Sequence, residues 1–132
     1  MEKAVQDATN IRNFFRDEFK VPDDHLIFLK DKYATRQKIV EVLVALQSDT
    51  RIHKDDAILI YFAGHGSQCR VPKAAQPVWG QQVEMILPYD FEGYAEALRK
   101  SPSHIRGIID VELGDILAKI AAEKGDNIVR DA

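Results

Sequence analysis

The chain has 132 residues, of which 45% are apolar and 30% charged, with a formal net charge of −3. This size and composition are typical of one soluble domain that buries a core without disulfides or structural metals. A negative net charge argues against a surface that neutralises nucleic-acid phosphates, so we expect no nucleic-acid partner. No apolar stretch approaches the roughly 20 residues that a membrane-spanning helix needs. The single cysteine, Cys69, cannot form an internal disulfide, which indicates a reducing compartment. Since the N-terminus also has no apolar core of signal-peptide type, we expect a cytoplasmic protein without a membrane partner.

Apolar residues at three- and four-residue spacings predict three amphipathic helices. The first occupies the N-terminal stretch and stops before Val21-Pro22, because the residue preceding a proline disfavours helix. The second lies in TRQKIVEVLVALQ, with Thr35 as its N-cap. The third lies in VELGDILAKIAAEKG (111–125), and Gly125 stands where a C-cap glycine would.

Short apolar runs predict four strands, which are HLIFL (25–29), AILIYFA (57–63), VEMILP (83–88) and NIV (127–129). The run 57–63 is apolar throughout, which predicts a central strand covered by helices on both faces. Residues 67–82 predict a loop, and 91–107 predict a long connection with one helical turn around Tyr94. Helices that alternate with strands indicate an α/β domain with a mainly parallel sheet.

A histidine between two glycines follows the 57–63 strand, in YFAGHGSQC. In parallel sheets, reacting groups and ligands collect at the carboxyl ends of the strands. Gly64 and Gly66 allow unusual dihedrals, and the Gly66 amide could donate to a developing oxyanion. Imidazole titrates close to physiological pH, so His65 is a candidate general acid/base. A structural histidine in a glycine-rich turn explains the tripeptide equally well, and both interpretations remain open at this point.

The longer pattern ILIYFAGHGSQ, followed by VEMILPYDFE and a helix ending in EKGDNI, resembles the caspase-like cysteine peptidases of family C14. The metacaspase type and its fungal relatives are the most similar. The segment FRDEFKVPDDHLIFLKDKYATRQKIVEVLVAL is similar to the family's first helix, second strand and second helix, so the resemblance covers nearly the whole chain. The implied fold is a caspase-like three-layer sandwich, in which helices flank a mainly parallel sheet.

The resemblance implies a cysteine endopeptidase that cleaves polypeptides with a histidine-cysteine dyad. His65 would be the histidine that assists the thiol and protonates the leaving amine, and the Gly66 amide would contribute to the oxyanion hole. The family's cysteine follows the next strand, after an Asp and before a His-Ser-Gly run, whereas this chain ends at NIVRDA. We therefore expect residues 1–132 to be a partial peptidase domain that is inactive or nearly so by itself.

The family also has a strand ahead of the first helix, which lies in the sheet between the strands corresponding to 25–29 and 57–62. This chain starts in the helix, so we expect either unpaired backbone groups on both strands and a chain of marginal stability, or direct pairing of the two remaining strands. The alternative function is a catalytically inactive module that associates with full-length caspase-like relatives or regulates them.

Other polar residues give weaker signals. Cys69 could replace the missing nucleophile only if the loop after His65 curled back, and an ordinary loop thiol is the other interpretation. Asp90 stands where relatives carry a similar Pro-x-Asp, and a turn or capping aspartate explains it as well. We expect no cofactor, because three histidines lack metal-ligand spacing, namely His25, His53 and His104. Calcium dependence is known among metacaspases, but its ligands are not identifiable in this sequence.

Overall fold

The computed structural model describes residues 2–70, 73–74, 76–91 and 107–131. Short 3-10 turns lie at Asp23–His25 and Asp31–Tyr33. The helices and strands, in chain order, are α1 (Glu2–Asp17), α2 (Arg36–Leu46), β1 (Ile58–Tyr61), β2 (Gly66–Arg70), α3 (Gln76–Trp79), β3 (Gln82–Ile86), β4 (Ile108–Ile109), α4 (Asp110–Lys124) and β5 (Ile128–Asp131). None of the helices in these ranges is long and apolar enough to span a membrane. The predicted helical turn around Tyr94 lies outside the described residues.

The N-terminus of α2 and the C-terminus of α4 are capped by the residues that the sequence predicted. The Thr35 hydroxyl accepts a hydrogen bond from the Lys38 N–H at 3.2 Å, which confirms Thr35 as the N-cap of α2. Gly125 has a φ of +87°, and its N–H donates to the Ala121 carbonyl at 2.9 Å. A positive φ suits glycine, so the predicted C-cap is confirmed.

Two sheets form, one parallel and one antiparallel. β1 pairs in parallel with β5, in a register that runs from Ile58 opposite Ile128 to Tyr61 opposite Asp131. β2, β3 and β4 form a three-stranded antiparallel sheet in that order. The α/β class and the parallel pairing of the 57–63 strand are therefore confirmed, although β1 is paired on one side only within the described residues.

The loop predicted over 67–82 is wrong. Residues 66–70 form β2, which pairs with β3 from Gly66 opposite Ile86 to Arg70 opposite Gln82. β2 reads GSQCR and carries no apolar alternation, whereas β3 buries Val83 and Met85. The partner strand, and not a hydrophobic pattern in β2 itself, makes this segment extended, so the composition alone gave no strand signal.

The strand predicted at 25–29 does not form. Asp23–His25 is a 3-10 turn, and the residues after it are extended, with φ and ψ of −115° and 120° at Leu26 and −129° and 150° at Lys30. Residues 27–29 make no backbone hydrogen bond with any described residue. The segment therefore has the conformation of a strand without a strand partner among the described residues.

The core lies on one side of the parallel pair. Leu43 of α2, Ile108 of β4 and Leu113 of α4 are buried together, and the partly buried Ile60 of β1 and Ile86 of β3 pack against them. The N-terminal residues of α1 line a cavity together with the end of β1. Ile58 of β1 is buried, whereas Leu59 on the opposite face is 44% exposed, so the predicted covering of this strand by helices on both faces is only partly met.

Candidate active site

His65 lies where the chain passes from the parallel pair into the antiparallel sheet. β1 ends at Tyr61, and β2 begins at Gly66. The His65 carbonyl accepts a hydrogen bond from the Leu87 N–H at 3.0 Å, which fixes the turn to the segment that follows β3. The His65 side chain is exposed, and within the described ranges no group forms a hydrogen bond or ion pair with it. The imidazole is therefore available to a molecule that binds at this edge.

Gly66 lies close to the backbone of β3, and its N–H points away from that strand. His65 and Leu87 form a hydrogen-bonded pair, so the next pair, Gly66 and Ile86, is the non-hydrogen-bonded kind, in which the N–H groups point away from the partner strand. A Cβ atom on Gly66 would lie 3.3 Å from the Met85 carbonyl oxygen, closer than side chains normally come. Glycine thus lets β2 approach β3 while its own N–H faces away from β3.

A shallow cavity of about 370 Å³ adjoins His65. Lys3 and Asp7 of α1 place one positive and one negative side chain at its edge. Backbone and side-chain atoms from the end of β1 form the other wall, which consists of Tyr61, Phe62, Ala63, Gly64 and His65. The cavity opens beside His65.

Cys69 lies in β2, opposite Val83. An extended strand rises about 3.3 Å per residue, so roughly 13 Å separates the Cα atoms of His65 and Cys69. The curled loop that a His65–Cys69 pair would need is replaced by a strand. The loop-thiol interpretation is wrong about the local structure, and the backbone does not bring Cys69 to the imidazole.

Asp90 caps a helix that is remote in sequence. Its Oδ1 accepts a hydrogen bond from the Arg36 N–H, in the first turn of α2, at 2.9 Å. The Tyr89 N–H donates to the Ala34 carbonyl, also at 2.9 Å. These bonds support the capping interpretation of Asp90 and fix the segment after β3 to the start of α2.

An ion pair that the sequence analysis missed strengthens the same junction. The Arg36 Nη2 donates to both carboxylate oxygens of Glu112, at 2.5 and 2.6 Å, and the two side chains are 19% and 27% exposed. The Arg36 Nε is buried without a hydrogen-bond partner. Seventy-six residues separate the pair, so no local spacing in the sequence could have indicated it. The pair joins α2 to α4 beside the segment that contacts His65.

No cation site can be built from the described residues, because they contain no group of three His, Cys, Asp or Glu side chains that could hold a metal ion. Calcium dependence therefore stays a prediction from family resemblance alone.

A parallel strand pair between helices, with a histidine beyond the end of its first strand, is consistent with an incomplete caspase-like α/β fold. The family model for the metacaspase, peptidase C14 domain matches residues 1–123. The match covers most of the chain, so the chain belongs to the metacaspase family, as its sequence motifs predicted. A search of curated proteins finds no match. The family is one of cysteine peptidases, and the individual roles of His65 and Gly66 stay predictions.

Proposed function

We propose that this chain contributes the histidine half of a cysteine endopeptidase active site, with His65 as the general acid/base. The observation that carries the proposal is an exposed imidazole, without another hydrogen-bond partner among the described residues, beyond the end of β1 in a metacaspase domain. His65 would take the proton from a cysteine thiol, and the thiolate would attack the substrate carbonyl carbon. The imidazolium would then protonate the leaving amine, and water would hydrolyse the acyl-enzyme.

We assign the oxyanion contact to the Gly66 amide. Its N–H faces away from β3, so the β2–β3 ladder does not use this donor. A backbone N–H directed at the substrate oxygen stabilises the negative charge that develops in the tetrahedral intermediate. Because the donor is part of the backbone, only a proline at this residue would remove it, and other substitutions would act by shifting the strand.

The register of the parallel pair supports a nucleophile on residues that follow β5. Tyr61 is opposite Asp131, so β1 and β5 end at the same edge of the sheet. A cysteine a few residues after β5 would therefore lie beside the turn 62–65. Cys69 is the less suitable candidate, because the extended β2 separates it from His65.

The proposal is tested by adding a cysteine nucleophile to the chain. The chain is extended after Asp131 by the strand and Cys-His-Ser-Gly segment of an active metacaspase, and cleavage of fluorogenic peptides with Arg, Lys or Asp before the scissile bond is measured with and without calcium. We expect cleavage that is lost in His65→Ala and in a variant of the added cysteine. His53→Ala is the matched control, since His53 is also an exposed histidine and lies before β1.

Two results would contradict the proposal. One is a folded extended chain whose cleavage is the same in His65→Ala, and the other is a folded extended chain that cleaves none of the peptides. The unextended chain is measured in parallel with its Cys69→Ala variant. Cleavage that depends on Cys69 would place the nucleophile within the 132 residues and overturn its assignment to residues after β5.

The alternative, an inactive module that associates with full-length caspase-like relatives, predicts the opposite result in the same assay. The extended chain would fold without cleaving any peptide. It would instead change the activity of a full-length metacaspase mixed with it, and His65→Ala would leave that effect unchanged.

A further inference from the structure

The position of the His65 imidazole depends on its backbone. Within the described ranges the side chain forms no hydrogen bond or ion pair, whereas catalytic imidazoles are commonly oriented by a hydrogen bond to a further group. An error of 1 Å in the position of a reacting group can lower a rate about a hundredfold. What fixes the backbone of the turn 62–65 therefore matters for the chemistry that His65 can perform.

Backbone hydrogen bonds fix this turn at both ends. At its start, the Phe62 N–H donates to the Asp131 carbonyl at 2.8 Å, which joins the turn to β5. At its end, the His65 carbonyl accepts from the Leu87 N–H at 3.0 Å. Leu87 is the first residue after β3, and Pro88, which follows it, is buried. The end of the turn that carries the imidazole is therefore held by the residues at which β3 ends.

Residues 87–90 are held in turn by the start of α2. The Tyr89 N–H donates to the Ala34 carbonyl, and the Arg36 N–H donates to the Asp90 Oδ1, both at 2.9 Å. The Arg36 N–H lies in the first turn of α2, where a helix has no carbonyl of its own to accept the bond, so the carboxylate supplies the acceptor. The segment that holds the His65 carbonyl is thus attached to α2 within three residues of that contact.

The Arg36 side chain connects the same point to α4. Its Nη2 donates to both carboxylate oxygens of Glu112, which lies in the first turn of α4, directly after β4. β4 pairs with the end of β3, where Ile108 is opposite Ile86. The contacts therefore form a closed ring, here called the contact ring, which runs from Ile86 through 87–90 to Arg36, then to Glu112, and back through β4 to Ile86.

The chemistry of the Arg36–Glu112 pair suits a role in geometry better than a role in stability. Both side chains are largely removed from water, and the Arg36 Nε is buried without a hydrogen-bond partner. The cost of removing such charges from water offsets most of their attraction, and an apolar pair of similar size is often at least as stable. An arginine–carboxylate contact adds directional bonds that an apolar contact lacks. The pair therefore defines where α2, α4 and residues 87–90 meet.

We propose that Arg36 is a positioning residue for His65, which acts through the contact ring and not by contact with the substrate. Its N–H and its guanidinium hold Asp90 and Glu112, and the segment between β3 and Asp90 holds the His65 carbonyl. The inference rests on the proposed function, because the exact position of this imidazole matters only if His65 is catalytic. A loosened contact ring should lower kcat and leave KM unchanged, since the ring does not touch the substrate.

The first measurement needs no activity and uses the 132-residue chain. Amide hydrogen exchange and the amide NMR spectrum are compared between the parent chain and Glu112→Gln, which keeps the shape of the side chain and removes its charge. We expect the Leu87 N–H to exchange about tenfold faster in the variant. The amide signals of His65 and Gly66 should move as well. Arg36→Met should give the same changes, and the milder Glu112→Gln keeps the test usable if Arg36→Met does not fold.

Lys124→Met is the matched control at the other end of the same helix. The Lys124 Nζ donates to the carbonyls of Asp49 and Ile52, both at 2.8 Å, so this variant also loses polar contacts of α4. At 1.5 Å per residue, Lys124 lies roughly 18 Å along the helix from Glu112. Urea unfolding gives the loss of stability in each variant, and the spectra are recorded without urea on folded chains. In Lys124→Met the exchange of the Leu87 N–H should rise no more than the global loss of stability requires.

The second measurement uses the chain extended by the metacaspase cysteine segment. Glu112→Gln and Asp90→Ala should each lower kcat about tenfold and leave KM unchanged. Asp90→Asn keeps an oxygen that can accept from the Arg36 N–H, so it should restore kcat to near the parent value. Lys124→Met should keep the parent kcat. His65→Ala is measured alongside, because its result decides whether the histidine is catalytic at all.

Three results would overturn the inference. In the first, the exchange of the Leu87 N–H and the signals of His65 and Gly66 are the same in Glu112→Gln as in the parent chain. In the second, Lys124→Met lowers kcat as much as Glu112→Gln does, which would reduce the effect to a loss of stability. In the third, the exchange changes as expected but kcat does not, so that the contact ring holds the turn without serving catalysis.

Failure of the proposed function is recognised separately. Cleavage that is equal in the parent and in His65→Ala would show that this histidine is not catalytic, whatever the exchange of the Leu87 N–H shows, and Arg36 would then have no role in positioning a catalytic group. Cleavage that is lost in His65→Ala but unaffected by Glu112→Gln and Asp90→Ala would retain the catalytic histidine and refute the role of Arg36 alone.

Discussion

Replacement of Gly125 by alanine should destabilise the junction at which α4 turns into β5. Gly125 has φ and ψ of +87° and 168°, a region that only glycine occupies readily. Forcing alanine into such a region costs about 1–3 kcal/mol. A Cβ atom would also meet the backbone of Asp55, 3.0 Å from its nitrogen and 3.2 Å from its Cα. The Asp55 backbone is held in this place, because its N–H donates to the Lys124 carbonyl at 2.7 Å. We therefore expect a total loss of about 3 kcal/mol.

Alanine substitutions at two other glycines separate the cost of the backbone conformation from the cost of the contact with Asp55. Gly80 also has a positive φ, of +80°, but a Cβ there would meet nothing within 4 Å, so Gly80→Ala measures the backbone cost alone. We expect about 1–2 kcal/mol. Gly114 lies inside α4, and its Cβ would likewise meet nothing within 4 Å. Gly114→Ala should stabilise the chain by about 0.5–1 kcal/mol, because alanine loses less backbone entropy in a helix.

The assay is urea unfolding followed by circular dichroism, with the free energy of unfolding compared across the three variants. We expect the free energy of unfolding to be highest for Gly114→Ala, followed by the parent chain, then Gly80→Ala, and lowest for Gly125→Ala. Equal losses for Gly125→Ala and Gly80→Ala would show that contact with Asp55 adds nothing. A stable Gly125→Ala would refute the assigned conformation of this junction.

Three further predictions concern charged groups. Glu112→Gln should lower the free energy of unfolding by about 1–3 kcal/mol, because it leaves the mostly buried guanidinium of Arg36 without a carboxylate. The control is Asp115→Asn, in an exposed ion pair on the same helix, which should change stability by less than about 0.5 kcal/mol in the same urea titration. Asp90→Ala should cost about 1 kcal/mol, as loss of a helix cap does, and the double variant with Glu112→Gln should show non-additive losses if both residues hold one junction. The Arg51 side chain and backbone N–H donate to Asp49 and lower its pKa to about 2, so this carboxylate stabilises the fold above about pH 4 and the contribution disappears as the pH falls from 4 to 2. Carboxyl NMR titration should give that value, and Arg51→Ala should raise it; an unchanged pKa would contradict the assigned hydrogen bonds.

The sequence predicted the elements whose stability is local or that consist of an uninterrupted apolar run. The apolar stripes and the capping residues Thr35 and Gly125 gave α2 and α4. The uninterrupted run 57–63 gave β1, and the glycines around His65 marked the turn that follows it. These signals depend on spacing along the chain, so a single sequence contains them in full.

Structure that depends on a distant partner was not predictable in this way. β2 is extended because β3 pairs with it, and the run 25–29 stays unpaired because no neighbouring strand is present among the described residues. The Arg36–Glu112 pair joins α2 and α4, and no pattern in the sequence indicated that these two helices lie side by side. The position of His65 was predictable because a strand end is a local feature, whereas the contact of its carbonyl with Leu87 was not.

The absence of buried side chains in the described part of α1 has a consequence for its dynamics. A helix that buries little apolar surface gains little free energy from docking, so it can detach while the rest of the domain stays folded. α1 should therefore exchange its amide hydrogens through local openings, well before the amides of Leu113 and Ile120, which lie in the buried face of α4. Because its first turns form one wall beside His65, each such opening also changes how much of that histidine a neighbouring polypeptide can reach.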